Sequence, residues 1–276
     1  MTKELPLLIS AEEAANYLDD DAVLFIDRCQ DALFKISHIP GAIHLSPRRL
    51  MGGQAPSPGL MPPVEELEAI FSSLGVQDGV HVIAYDDEGG GWCARLAWTF
   101  DCLGFKDYSI IDGGFQSWRA AKLPLVNTAS TPTPANFVAK YDEQPRAMVD
   151  WVLANLEDAD LKIWDARSPE EYSGARQFSR RGGHIPGAVN YEWTRAIDVS
   201  NQMKLRPLDE IRAELAELGV DESKTIVTHC QSHHRSAFTY FVGKLLGLNI
   251  KGYDGSWSEW GNRDDTPIEL DRADLA

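Results

Sequence analysis

The sequence predicts an α/β protein built from two tandem copies of one domain, each a mostly parallel sheet with helices on both faces. Three observations lead there. Four blocks recur in the same order along the 276 residues. Within each copy, short apolar runs alternate with stretches of helical periodicity. A segment rich in Pro, Thr and Asn lies between the copies.

The repeat is plain when the halves are aligned. NYLDDDAVLFID (Asn16 to Asp27) lies over ANLEDADLKIWD (Ala154 to Asp165) without a gap, at an offset of 138. HIPGA occurs at His38 to Ala42 and again at His184 to Ala188, at an offset of 146. The second half therefore carries a small insertion between these two markers. VIAYD, ending at Asp86, matches IVTHC, ending at Cys230, and DGGFQSW from Asp112 matches DGSWSEW from Asp254. The division that follows is a first domain over residues 1–124, a connector over 125–145 and a second domain over 146–276.

The elements follow in order. Ser10 and Glu13 have capping-box spacing at the start of the first helix. LFID and KIWD predict buried strands ending in Asp, and VHVIAYD and KTIVTHC predict two more. PVEELEAIFSSLG and LDEIRAELAELG are amphipathic, and Gly stops each as it stops a helix. In HIPGA, Pro and Gly fix a turn that delivers the chain into the next strand, which makes the motif architecture rather than chemistry. DGSWSEW is read the same way, with Trp257 also placed to line a pocket. In the connector LPLVNTASTPTPANFVAKYDEQP, the stretch FVAKY predicts a short strand.

Composition narrows the function classes. Hydrophobic residues make up 43% and charged residues 25%, ordinary globular proportions. A formal net charge of −16 argues against a nucleic-acid backbone or an anionic membrane as the main partner. No apolar run approaches the roughly 18 residues of a membrane span, and MTKELPLLIS has no signal-like h-region, so a cytoplasmic protein is expected. The four cysteines, at 29, 93, 102 and 230, form no CxxC pair and suggest no disulfide scaffold. Cys29, Cys93 and Cys102 are read as packing residues.

Cys230 stands apart because THCQSHHRS places it between a predicted strand and a predicted helix. In a parallel sheet, active sites gather at the carboxyl ends of strands. Backbone N–H groups of such a loop converge, and the helix N-terminus adds a positive dipole end, so an anion is favoured at the loop centre. A thiolate there, with His233, His234 and Arg235 beside it, has its pKa depressed. H-C-x-x-H-H also carries metal-ligand residue types, but His229 and Cys230 are neighbours at a strand end and face opposite sides. No metal is expected. The first-half counterpart, DDEGGGW, has Asp86 in place of Cys230 and is expected to repel anions rather than cradle them.

The paired HIPGA blocks, the DGSWSEW end-block and a single reactive-type cysteine in the second repeat resemble a two-domain rhodanese, a sulfurtransferase. Phe34 to Leu45 reads F-x-x-x-H-I-P-G-A-x-x-L, matching the N-terminal signature of that family. The loop CQSHHRS is similar to that of a bacterial subtype and differs from the commoner CRKG and CGSG loops. The resemblance implies two rhodanese-like domains, the first catalytically silent. It implies that Cys230 takes the outer sulfur of thiosulfate or a similar donor as a persulfide and passes it to cyanide or a thiol. This is covalent, ping-pong chemistry that needs no cofactor and little general-base help. Gln231, Ser232, His233, His234 and Arg235 would bind substrate, with Arg195 as a further cation. A monomer is expected, with small-molecule donor and acceptor and room for a protein sulfur acceptor.

Three other readings remain open at this point: a 3-mercaptopyruvate sulfurtransferase, a persulfide carrier for cofactor assembly, and a cysteine phosphatase. Phosphatases of related fold use H-C-x5-R, whereas four residues separate Cys230 from Arg235 here, a smaller cradle suited to one sulfur atom. One departure bears on the donor. Relatives often carry an arginine after the second D-x-R, and DARSPEEY has Glu171 at that position. Arg180, Arg181 and Arg195 are the cations available to compensate.

Overall fold

The computed structural model describes residues 5–270. Its strands, in chain order, are β1 (Leu8–Ile9), β2 (Val23–Asp27), β3 (Ile43–His44), β4 (His81–Tyr85), β5 (Tyr108–Ile111), β6 (Arg146–Ala147), β7 (Leu161–Asp165), β8 (Val189–Asn190), β9 (Ile197–Asp198), β10 (Lys204–Leu205), β11 (Thr225–His229) and β12 (Asn249–Tyr253). They form two five-stranded parallel sheets, ordered β1-β5-β4-β2-β3 and β6-β12-β11-β7-β8, and one antiparallel pair, β9 with β10. The two orders are the same topology written twice, as the duplicated sequence requires.

The central strands β4 and β11 are buried along nearly their whole length, as strands of a parallel sheet covered by helices on both faces are. In the second sheet Val227 of β11 pairs with Ile163 of β7 and Lys251 of β12, and His229 lies level with Asp165. That register brings the carboxyl ends of β7 and β11 together, where Cys230 begins its loop. Val149, Ile163, Val227, Tyr253, Trp257 and Trp260 form the core of this unit. Ile9, Phe25, Ile83, Ile111, Phe115 and Trp118 form the matching core of the first.

The helix starts follow their local sequence. Ser10 caps the helix Ala11–Ala15 and Glu13 closes the capping box. Ser168 and Glu171 do the same for the helix Pro169–Ser173. Gly41 and Gly187 of the two HIPGA turns have φ of 78° and 72°, and a Cβ at either would meet nothing within 4 Å. The left-handed backbone, not lack of room, selects glycine there.

Two features differ from the sequence reading. FVAKY is not a strand: the N–H of Phe137 donates to Ser72 Oγ, that of Ala139 to Glu68 Oε1 and that of Lys140 to the Leu103 carbonyl. Helix side chains and a helix end satisfy this backbone, so no ladder forms. The compact units also cut across the linear division. One comprises residues 1–50, 62–142 and 197–205, and the other 51–61, 143–196 and 206–276. Each unit thus contains a short segment from the other half of the sequence. No helix among the described residues is long and apolar enough to cross a membrane.

Candidate active site

Strand β11 ends at His229, the chain turns through Cys230 to His234, and the helix Arg235–Leu245 follows. The loop is held from the side of the second end-block. Cys230 N–H donates to Ser256 Oγ (3.3 Å), Trp257 N–H to the Cys230 carbonyl (2.9 Å) and Ser258 N–H to the Gln231 carbonyl (2.9 Å). Ser256 has φ of 52°, a conformation a non-glycine residue holds only when its surroundings fix it. Its hydroxyl donates to the Tyr253 carbonyl at 2.8 Å, which leaves the oxygen lone pairs for Cys230.

Cys230 is buried, 1% exposed. Burial alone pushes a thiol pKa up, but here the net shift is downward. The Arg235 guanidinium and hydrogen bonds from the Ser236 hydroxyl, the Ser236 N–H and the Ser232 N–H outweigh the desolvation. His233 enters through Ser236: its Nδ1 lies 2.8 Å from Ser236 Oγ. A hydroxyl has one proton, and Ser236 gives it to the sulfur. His233 Nδ1 must therefore carry the proton that Oγ accepts, which fixes the tautomer of this buried ring. His233 adopts φ of 54° to reach that place. His234 instead sets its ring edge-on to Trp193, 5.8 Å between centroids.

Arg235 is shared. Its Nη1 and Nη2 donate to Glu171 Oε2 and Oε1 at 2.6 and 2.8 Å. Burial resists ionisation of Glu171, but Arg235 overcomes it and holds the carboxyl below its ordinary range. Glu171 grips the cation that the loop supplies. His229, on the other side of the strand end, lies 3.5 Å from Asp165 and faces Trp257. Burial lowers its pKa to about 4, against the pull of Asp165 and with help from Arg167. Arg167 is clamped on Asp165 and the Gly183 carbonyl and lies 4.4 Å over the Trp257 ring, a structural role.

An open cavity of about 470 Å³ lies beside the loop, lined by Glu171, Arg176, Phe178, Gln231 and Arg235. The predicted residues Gln231 and Arg235 face it. Arg195 is not among its lining residues: its guanidinium is 3.2 Å from Glu214 and 4.2 Å over the Tyr191 ring. Arg180 pairs with Asp264, and Arg181 donates to the Thr266 and Trp260 carbonyls, so neither compensating cation reaches the cavity. Arg176 and Phe178 were not legible from residue type. They sit in the insertion that breaks the repeat offset, with the Arg176 guanidinium 4.7 Å over the Phe178 ring. Ser179, in the same insertion, accepts from Gln231 Nε2 at 3.1 Å. The offset change was the signal that marked them.

The first unit keeps the same loop and fills it. Phe115 N–H donates to the Asp86 carbonyl (2.8 Å), as Trp257 does to Cys230. Asp86 Oδ1 accepts from the N–H groups of Glu88 (3.1 Å) and Gly90 (2.8 Å), and Oδ2 from that of Cys93 (3.0 Å). The place an anion would take is filled by the loop's own Asp86 side chain, whose pKa is raised by burial and by Glu88.

A family model for the rhodanese-like domain matches residues 10–121 and, again, 148–263. The chain belongs to the rhodanese family. The thiosulfate sulfurtransferase of Azotobacter vinelandii is 44% identical over 267 residues, covering 96% of this chain and 98% of that one. That of Pseudomonas aeruginosa is 40% identical, covering 97% and 98%. The sulfur carrier protein TtuD of Thermus thermophilus is 32% identical, covering 95% and 96%. Among solved structures, an anaerobic ergothioneine biosynthesis enzyme from Chlorobium limicola superposes with a TM-score of 0.87 over 96% of this chain and 70% of that one. At 22% identity it reports the rhodanese fold alone.

Proposed function

We propose that this chain is a thiosulfate sulfurtransferase with Cys230 as its nucleophile. The observation that carries the reading is a buried cysteine at the end of a parallel strand and before a helix, beside Arg235, Ser236 and Ser232, in a chain 44% identical to a thiosulfate sulfurtransferase. The Cys230 thiolate attacks the outer sulfur of thiosulfate, a new S–S bond forms, and the donor's S–S bond breaks. Sulfite leaves with the electron pair. The resulting persulfide anion lies among the donors that held the thiolate. Cyanide or a thiolate then attacks the outer sulfur, taking it away and returning Cys230 to its thiolate form.

In this reading Ser232 and Ser236 hold the sulfur's charge, His233 orients Ser236, and Arg235 supplies the positive field. Gln231 and His234 shape the mouth. Arg195 is left to its pair with Glu214. No cofactor takes part, and the protein acts as a cytoplasmic monomer. Thiosulfate incubation followed by intact-mass measurement tests the assignment. Gain of one sulfur atom, abolished in Cys230→Ser, is expected; an unchanged wild-type mass rejects thiosulfate as donor.

A carrier role is the second reading, favoured by the likeness to a sulfur carrier protein over nearly the whole chain. Its sign would be a persulfide that passes to a protein thiol faster than to cyanide.

A further inference from the structure

Residues 51–61 come from the first half of the sequence, yet they belong to the unit that contains Cys230. They form a strap closed on itself by Gly52 N–H to the Leu60 carbonyl (2.8 Å) and Ser57 N–H to the Gln54 carbonyl (2.7 Å). Two contacts seat the strap. Met61 N–H donates to Asp254 Oδ2 at 2.8 Å in a buried bond. Arg146 holds the same carboxylate, with Nε to Oδ1 at 3.1 Å and Nη2 to Oδ2 at 2.7 Å. At Gly59 the strap presses on the loop: a Cβ there would lie 2.3 Å from the Ser232 carbonyl oxygen and 2.7 Å from that of Asp254. Any side chain at 59 therefore displaces backbone.

The pressed group matters because of its neighbours. The Ser232 N–H donates to the Cys230 sulfur, and the next residue, His233, is held at φ of 54°. The Ser232 carbonyl begins the peptide that follows this donor, so holding it holds the Ser232 residue from its other side and with it the direction of the Ser232 N–H. The first unit has the same clamp in mirror assignment. Asp112 Oδ1 accepts from Leu205 N–H at 2.8 Å, gripping the segment 197–205, and a Cβ on Gly113 would lie 2.5 Å from the Gln202 carbonyl oxygen. That clamp closes on a unit without a reactive cysteine.

We propose that Gly59 and Asp254 are positioning residues for sulfur transfer, with the strap holding the Ser232 peptide in the geometry that stabilises the Cys230 anion. The inference rests on Cys230 as the sulfur-bearing nucleophile. Its test is a property of the thiol alone: the pH profile of Cys230 alkylation by iodoacetamide, read without any sulfur donor. Gly59→Ala and Asp254→Ala move the midpoint up toward that of an ordinary thiol, and Asp254→Asn, which keeps an acceptor for Met61 N–H, restores most of it. Asp112→Ala removes the equivalent clamp of the other unit and leaves the midpoint in place. In thiosulfate assays the first two variants lose kcat by about 10- to 100-fold, the scale of a small misplacement of a reacting group, with a smaller change in KM. Should Gly59→Ala not fold, the comparison of Asp254→Ala with Asp254→Asn and Asp112→Ala decides. A midpoint unmoved in the folded variants, or moved equally by Asp112→Ala, overturns the proposal. Failure to gain sulfur from thiosulfate would instead strike the donor assignment and leave the alkylation result standing.

Discussion

Arg235 and Glu171 meet as a two-pronged ion pair, Nη1 to Oε2 at 2.6 Å and Nη2 to Oε1 at 2.8 Å, at the wall of the cavity beside Cys230. Glu171 also completes the capping box of the helix Pro169–Ser173, so its carboxylate is tied at both ends. The loop's arginine is thus rigid and partly neutralised before any donor arrives.

Glu171→Gln keeps the cap and removes the neutralising charge. The freed positive field of Arg235 then acts on the Cys230 sulfur and on an incoming dianion. The alkylation midpoint of Cys230 moves further down. The KM for thiosulfate falls by about two- to fivefold, the range for a partly solvated pair. A KM that rises shows that Arg235 is needed for position more than for charge.

His233 acts on the sulfur only through Ser236. His233→Ala removes the proton that Ser236 Oγ accepts and frees the hydroxyl to turn away from Cys230. The alkylation midpoint then moves up. In the wild type, persulfide formation rises with pH and levels off below the ordinary thiol range; in the variant the plateau comes later. Stopped-flow loading with thiosulfate across pH makes the comparison. Identical profiles would place His233 in packing alone.

The duplicated fold, the parallel sheets and the Cys230 loop were legible in the sequence because each leaves a local mark. Apolar runs of strand length, glycine stops and repeated blocks are all written over a few residues. The pairing of Glu171 with Arg235 joins residues 64 apart in sequence, and the strap reaches from Gly59 to Ser232. No periodicity records such contacts. Asp86 shows a different limit. Counting acidic residues in DDEGGGW gives their charge but not that the side chain of Asp86 turns inward to its neighbours' N–H groups. Arg176 and Phe178 lay in plain view inside the insertion, and only the geometry showed that this insertion borders the site.

His229 sets a pH limit on stability. Folding holds its pKa near 4 against an ordinary 6.5, because burial disfavours the charged ring more than Asp165 favours it. Between those values the unfolded chain binds a proton that the folded one does not. The contribution is complete above the ordinary value and is lost as pH falls through the folded one. Urea unfolding of wild type and His229→Gln, at about pH 7 and about pH 4, isolates it: the stability difference between them changes by roughly 3 kcal/mol in the variant's favour on acidification. A pH-independent difference would show that His229 has no proton linkage to folding.

Asp86 is the keystone of the silent unit's loop. Asp86→Ala leaves the N–H groups of Glu88, Gly90 and Cys93 without their acceptor and costs about 1–3 kcal/mol. Asp86→Asn keeps an acceptor oxygen and costs less. Both variants still load sulfur on Cys230. Chemical denaturation ranks the three proteins, and an Asp86→Ala as stable as wild type would show that the cradle tolerates being empty.

The exchange of segments 51–61 and 197–205 has a consequence for biosynthesis. Domains ordinarily fold as they leave the ribosome, N-terminal first. Here the first unit includes residues 197–205, so it is complete only after that segment has been translated. The second half, in turn, receives its strap from a segment made long before. A single cut between the halves therefore leaves each unit without one of its segments.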